Sequence, residues 1–449
     1  MQLARTLGWF RMQMASGTTQ IAVTIMVSNV LRIASSLILT RALSPADFGI
    51  TGITGAILIV MLMISDLGFG IFLIQHPRGD DRRLLDVVWT LRLIRAVILT
   101  LMLVALAAPL AWLLDKPEMR WVIAVTALSF IVEGGSALTP FTAVREQRLG
   151  RLALLDITAA VAQTAIGIVL ALLMHNYWAI VLGGLAGTAV KSLLTFTMYP
   201  GSGRRVAFDR SVATELWRFG RVIASANTIH VLLSNCDKFV LSRLFPLNAF
   251  GLYTLAVNLA GAPSAFTSLY PSRVLLPAYA AALRRNVLTP AAIYYDARRW
   301  VMTAYLLGMG GFIGMAPAII DLLYDQRYAH VHIYLRLLSL APAIALNNYA
   351  AREMLIVMGR LQSLLYANFV RLAWLTITGT IGYVGFGTLG VVAAVGMIEL
   401  PVMVYCWTAL HREGVFRWAD ELTMLATLAC GIALGFLCDQ MYFVLLAAR

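Results

Sequence analysis

Nine of the 35 lysines and arginines lie inside long apolar stretches rather than between them: Arg32, Arg92, Arg95, Lys191, Lys238, Arg273, Arg336, Arg352 and Arg371. A charge at the centre of a bilayer costs about 2.5–3.5 kcal/mol even on insertion scales, so such a residue faces a wet cavity or a partner. Lys191, Arg273, Arg336 and Arg352 sit near the ends of their stretches, where a long side chain reaches the interface. Arg32, Arg92, Arg95, Lys238 and Arg371 have no such exit, and Arg92 and Arg95, three apart, share a helix face. A guanidinium presents a planar fork to phosphate oxygens and stays charged at any physiological pH. These five residues therefore read as a cationic cleft for a phosphate or diphosphate carried on a lipid.

The acids within the apolar stretches are the counterweight: Asp66, Glu133, Asp156, Asp237, Glu353, Glu399 and Asp439. Residues adjacent in sequence do not share a helix face, so Asp237 beside Lys238 and Arg352 beside Glu353 are expected to find partners on other helices. The stretch 219–242 is the most polar, with Asn227, His230, Ser234, Asn235 and Asp237. It is equally a coupling-ion or substrate contact and a structural polar network. Glu399 precedes Pro401, which can unwind a helix and free carbonyls for a cation. His330 and His332, with Asp321 and Asp325, surround one connection and read as ordinary solvated residues, so no metal is expected. Cys236, Cys406, Cys430 and Cys438 have no paired short spacing and read as buried, inert thiols. No GxSxG, P-loop, HExxH or CxxC occurs, and no enzyme is expected.

The elements that must hold these residues are membrane helices. The chain is 60% hydrophobic and 13% charged, with a mean hydropathy of +0.80, far from the roughly quarter-charged composition of soluble domains. The net charge of +13 is spread between apolar stretches and forms no basic domain, which points to membrane lipids and anionic substrates rather than nucleic acid. A span needs about 20 mostly apolar residues. That template fits 18–40, 49–74, 87–113, 119–142, 154–174, 178–199, 219–242, 250–276, 300–323, 333–358, 363–386, 389–410 and 422–446. The expected architecture is an all-α polytopic bundle of 12–13 transmembrane helices. Its parts are an amphipathic segment 1–17, an N-lobe 18–200, a cytoplasmic connection 201–218, a C-lobe 219–411 and a C-terminal segment 412–449 with an additional span.

Twenty lysines and arginines fall in alternate connections that include the N-terminus, against six in the others, so the N-terminus is expected to be cytoplasmic. The N-terminal segment lacks a cleavable signal pattern, and the chain is expected to insert without one. Sliding the chain by 202 residues aligns Leu39-Thr40-Arg41 with Leu241-Ser242-Arg243 and Phe48-Gly49-Ile50 with Phe250-Gly251-Leu252. An even number of spans separates the copies, so they form two parallel six-helix repeats, a transporter architecture.

Two segments carry a resemblance. ILTRALSPADFGITG (Ile38 to Gly52), followed by SDLGFGIFLIQ (Ser65 to Gln75), resembles the opening of the Wzx-type oligosaccharide flippases of the polysaccharide transporter family. NCDKFVLSRLFPLNAFGLYTLAVNLAGAP (Asn235 to Pro263) is similar to that family's second-half signature. The family lies in the multidrug/oligosaccharidyl-lipid/polysaccharide exporter superfamily, beside the multidrug exporters and the lipid II flippase. The resemblance implies two MATE-like lobes, alternating access and location in the bacterial inner membrane. It also implies transport of an undecaprenyl-diphosphate-linked repeat unit to the periplasm for exopolysaccharide or lipopolysaccharide assembly. No cofactor is implied beyond H+ or Na+ coupling, and a polymerase and co-polymerase are the implied protein partners. The alternatives are a cation-coupled drug exporter, which the excess of intramembrane arginine opposes, and a membrane polymerase, for which the outer connections are too short.

Overall fold

The computed structural model describes residues 17–145, 149–199, 205–285, 289–360 and 362–447, and over these it is helical without a strand. Residue contacts divide the chain into two units, Met1–Arg243 and Leu244–Arg449. The sequence places the span beginning at 219 in the second lobe, whereas by contacts the helix that carries it packs with the first unit.

The first unit contains α1 (Gly17–Ala42), α2 (Pro45–Ile64), α3 (Phe69–Gln75), α4 (Arg82–Leu113), α5 (Met119–Thr126), α6 (Leu128–Gly134), α7 (Thr139–Arg145), α8 (Leu149–Met174), α9 (Trp178–Thr197) and α10 (Arg210–Leu244). The second contains α11 (Leu247–Ala260), α12 (Ser264–Tyr270), a π-turn Pro271–Leu275, α13 (Leu276–Arg285), α14 (Pro290–Gly314), α15 (Ala316–Leu323), α16 (Val331–Leu338), α17 (Leu340–Val357), α18 (Gln362–Phe386), α19 (Thr388–Gly396), α20 (Glu399–Arg412) and α21 (Trp418–Ala447).

All thirteen apolar stretches are helical, but they differ in form. Among the described residues seven helices or near-continuous helix pairs are long and apolar enough to cross a membrane, and α14 with α15, bent by 66°, makes an eighth. The others are interrupted or polar. The stretch 119–142 is divided among α5, α6 and α7, and 250–276 is broken at Gly261 and again at the π-turn that starts with Pro271. Proline removes a backbone donor and crowds the preceding turn, which is why the stretch 250–276 cannot run straight through Pro271.

The resemblance motif around Asp47 builds the fold. Asp47 Oδ2 accepts hydrogen bonds from the Ser44 amide (2.8 Å) and hydroxyl (2.7 Å), closing a capping box at the start of α2. Its Oδ1 accepts from the Tyr177 amide at 2.9 Å, which ties the start of α9 to the same corner.

The last apolar stretch is α21, and it packs along α14 through glycines. A Cβ on Gly310 would lie 2.6 Å from the Leu428 carbonyl oxygen, and one on Gly435 would lie 2.6 Å from that of Gly311. Gly314 and Gly431 are closed in the same way. Small residues four apart on both helices let the backbones touch, the packing that apolar surroundings favour because lipid gives no hydrophobic drive between helices. Cys406 is buried, while Cys430 and Cys438 are exposed on α21, so the expectation of buried thiols holds for Cys406 and not for these two. Cys236 lies outside the described side chains.

Candidate functional site

In the first unit, α2 and α3 are separated by Ser65–Gly68. Gly68 sits at φ 66°, in the left-handed region that suits glycine, and its amide donates to Asp66 Oδ1 at 2.9 Å. Both sequence-predicted arginines of α4 act near this break. Arg95 Nη2 donates to the Leu62 carbonyl and to Ser65 Oγ, each at 2.8 Å, and its guanidinium lies 5.7 Å from the Phe69 ring centroid. Arg92, 9% exposed, reaches the Ser136 carbonyl only at 3.5 Å and Glu133 only at 3.8 Å, and lies 5.8 Å from the Phe141 centroid. Arg95 has no carboxylate within ion-pair distance among the described residues, and its Nε is buried without a partner. Asp66 and Glu133 are the acids whose charges act on both.

The remaining first-unit candidates stand apart. Arg32 is exposed on α1 and donates to Asn29 Oδ1 at 3.0 Å. Lys238 Nζ donates to the buried Asn235 Oδ1 at 2.9 Å, one turn along α10, and Asp237 is half-buried beside it. No hydrogen bond or ion pair among the described residues joins Arg32 or Lys238 to the Arg92–Arg95 pair. The side chains of Asn227 and His230 lie outside the described residues. Lys191 pairs with Asp156 at 2.9 Å, linking α9 to α8.

A buried lysine closes the connection after α4. Lys116 Nζ donates to the Ser242 carbonyl at 2.6 Å, and Arg243 reaches Asp115 at 3.4 Å. Burial first, and then the neighbouring Arg243 charge, hold the Lys116 ammonium below its ordinary value.

In the second unit Arg336, Arg352 and Arg371 each reach a carboxylate, while Arg273 has none within ion-pair distance among the described residues. Arg371 and Glu399 form a two-pronged pair, Nε to Oε1 at 2.9 Å and Nη2 to Oε2 at 3.0 Å. Asn368 Oδ1 accepts from Arg371 Nη1 at 2.9 Å, and Asn348 Nδ2 donates to both the carbonyl and Oε2 of Glu399. Arg352 bonds its own neighbour Glu353 at 2.8 Å, contrary to the expectation that adjacent residues seek partners on other helices. The long arginine stem folds back across the helix surface, which a count of residue spacing does not capture. Arg336 reaches Asp439 at 3.8 Å, the Gly314 carbonyl at 3.2 Å, and the Phe436 ring at 4.6 Å. Asp439 also accepts from the Ala318 amide at 2.8 Å.

Sequence reasoning missed the most buried ion pair among the described residues. Arg298 is fully buried and bonds Glu421 and Asn347, with its guanidinium 3.9 Å from the Tyr294 ring centroid. Glu421 also accepts from Trp407 Nε1 at 2.8 Å and from the Tyr295 hydroxyl at 3.2 Å. Arg298 lies just before the apolar stretch 300–323, so the sequence alone places it among the cations of a connection. Tyr294 and Tyr295, one turn before it on the same face, were the available signal. Among the described residues no three His, Cys, Asp or Glu side chains converge on a metal site. Asp325 instead bonds Arg327, and Asp321 accepts from Tyr442.

An all-helical chain with at least seven spans and paired or buried charge within them is a multi-pass membrane protein with a transporter's helix bundle. The chain belongs to the family described as polysaccharide biosynthesis protein, whose model matches residues 38–332. It is 22% identical over 271 residues to the lipopolysaccharide biosynthesis protein WzxC of Escherichia coli, covering 59% of this chain and 54% of that one. It is 23% identical over 312 residues to the succinoglycan biosynthesis transport protein ExoT of Rhizobium meliloti, covering 68% and 62%. These matches thus span between half and two thirds of each relative. Among solved structures, the lipid II flippase MurJ in an inward closed conformation superposes with a TM-score of 0.71 at 11% identity, over 95% of this chain and 99% of that one. An inward-facing multidrug resistance MATE transporter of the MOP superfamily gives 0.60 at 15% identity, over 92% and 99%. The fold is therefore the helical bundle of that superfamily.

Proposed function

We infer that this chain is a flippase that carries lipid-linked oligosaccharides, on an undecaprenyl-diphosphate anchor, from the cytoplasmic to the periplasmic leaflet of a bacterial inner membrane, with its N-terminus cytoplasmic. The family and its named relatives in polysaccharide biosynthesis and transport support the substrate class. The observation that carries the mechanism is Arg95: a guanidinium inside an apolar bundle that, among the described residues, bonds only neutral oxygens and keeps a buried Nε unpartnered.

A buried cation without a matched acid is costly, and an anionic ligand removes that cost. In this reading Arg92 and Arg95 hold the diphosphate at the α2–α3 break, with Arg32 and Lys238 on its route, while Arg371 stays paired with Glu399. Neutralising the diphosphate lowers the barrier to moving it through a low-dielectric layer, exposing it first to one face of the membrane and then to the other. Asn235, Asp237 and Glu399 are the groups proposed for H+ or Na+ coupling, and a polymerase with its co-polymerase receives the product.

The test replaces Arg92 and Arg95 by Ala in the native host, at confirmed membrane levels, and measures polysaccharide and lipid-linked precursor. Loss of polymer with precursor held on the cytoplasmic leaflet is expected. Normal polymer with unchanged precursor would remove the cationic-cleft mechanism, and lost polymer with precursor on the outer leaflet would point to a polymerase.

A further inference from the structure

Between α17, α18 and α20 the second unit encloses a cavity of about 70 Å³, lined by Asn348, Tyr349, Arg352, Asn368, Arg371 and Tyr405 among others. Its charges are already matched within the protein, Arg371 by Glu399 and Arg352 by Glu353. What remains unmatched is hydrogen bonding, in both senses. Asn348 is 3% exposed, and with its Nδ2 committed to Glu399 its Oδ1 is an acceptor with no partner. Arg352 Nε is a buried donor with no partner. Asn368 uses its Oδ1 for Arg371, so its Nδ2 is a further donor with no protein partner among the described residues.

A phosphate offers acceptors only and would leave Asn348 Oδ1 unsatisfied, while a metal ion would face two guanidinium groups. A hydroxyl donates and accepts at once. Vicinal hydroxyls meet a wall of carboxamide and guanidinium groups in both roles, and Tyr349 and Tyr405 add aromatic surface of the kind that covers the apolar face of a sugar ring. Water-sized volumes of roughly 10–15 Å³ fit several times into this space, enough for the hydroxyl edge of one ring and not for a whole repeat unit.

We propose that the Asn348–Arg352–Asn368 cavity is a carbohydrate subsite that binds the hydroxyl edge of one sugar of the transported glycan. The proposal rests on the flippase reading above and assigns the second unit the recognition of hydroxyl pattern. Because a buried polar wall rejects a ligand that leaves it unpaired, the subsite discriminates between glycans that differ in one hydroxyl.

The test uses the full chain in lipid nanodiscs and two probes measured by calorimetry: the water-soluble oligosaccharide released by mild acid from the host's own lipid-linked precursor, and inorganic pyrophosphate. Wild type is expected to bind both. Asn348→Ala and the half-buried Asn368→Ala are expected to weaken the oligosaccharide about tenfold, the scale of one or two lost hydrogen bonds, while pyrophosphate affinity is unchanged and reports an intact fold. Unaltered oligosaccharide affinity in both variants, or no oligosaccharide binding by wild type, overturns the subsite. Oligosaccharide binding that these variants weaken, with no pyrophosphate binding to any protein, supports the subsite and removes the diphosphate reading instead, and thermal unfolding then reports the fold.

Discussion

The two units contain intramembrane cations in comparable number and match them to acids unequally. In the second unit Arg298, Arg352 and Arg371 each hold a carboxylate at hydrogen-bond distance and Arg336 reaches one at 3.8 Å, while Arg273 has none within ion-pair distance among the described residues. In the first, Lys191 pairs with Asp156 at 2.9 Å, but Arg95 rests on a carbonyl and a serine hydroxyl, Arg92 is 3.8 Å from its acid, and Lys238 and Arg32 bond asparagines. Matched charge holds helices together, whereas unmatched charge awaits a ligand. The number of arginines in a membrane bundle therefore says little about where an anion binds, and the count of acids within reach of each says much more.

The sharpest break of this contrast is at Glu421. Glu421→Ala leaves Arg298 buried without its acid, which is expected to cost about 3–5 kcal/mol of stability. It will show as loss of folded protein in detergent thermal unfolding, and Arg298→Met with Glu421→Leu is expected to recover most of it. Next comes Arg95→Ala, which should scarcely alter unfolding yet reduce diphosphate affinity by about 10- to 100-fold, the range for charge-assisted hydrogen bonds. If Arg95→Ala instead unfolds the protein as Glu421→Ala does, the contrast between the units fails. Overpacking the α14–α21 seam with Gly435→Val is expected to cost about 1–3 kcal/mol, with substrate affinity of the surviving protein intact.

The smallest effect concerns Lys116. Its value is lowered on folding, so between that lowered value and the ordinary lysine value of 10.5 the unfolded chain holds the proton and the folded chain does not. Stability contributed at this site therefore rises with pH across that alkaline window. Unfolding followed against pH for wild type and Lys116→Met measures the difference, and equal slopes would show that Lys116 is not linked to folding.

Much of the helix content was legible because composition and the length of apolar runs dominate it. All thirteen stretches are helical, and the last, α21, is a full-length helix. What could not be read was interruption. The division of 119–142 into three helices falls at Ala127 and Gly135, whose carbonyls accept from Thr100 and Trp89 of α4, rather than at any proline within α5 or α6. For the site, the pairing of Arg92 and Arg95 on one face followed from spacing. The bond between Arg371 and Glu399 did not, because residues 28 apart meet only when two helices turn back on each other. Glu421 was hidden for a related reason: it opens a helix directly after a basic connection, so its composition is that of a loop.

The placement of Glu421 and Asp439 on α21 also orders the making of the protein. During synthesis Arg298 and Arg336 enter the bilayer more than a hundred residues before the acids that match them are translated. Until α21 arrives, the second unit carries two cations in lipid with no counter-charge and a bare glycine groove on α14. A chain halted before residue 418 would keep its other helices and remain marked by those two arginines, so unmatched charge itself distinguishes unfinished from finished copies for any membrane protease that recognises exposed polarity.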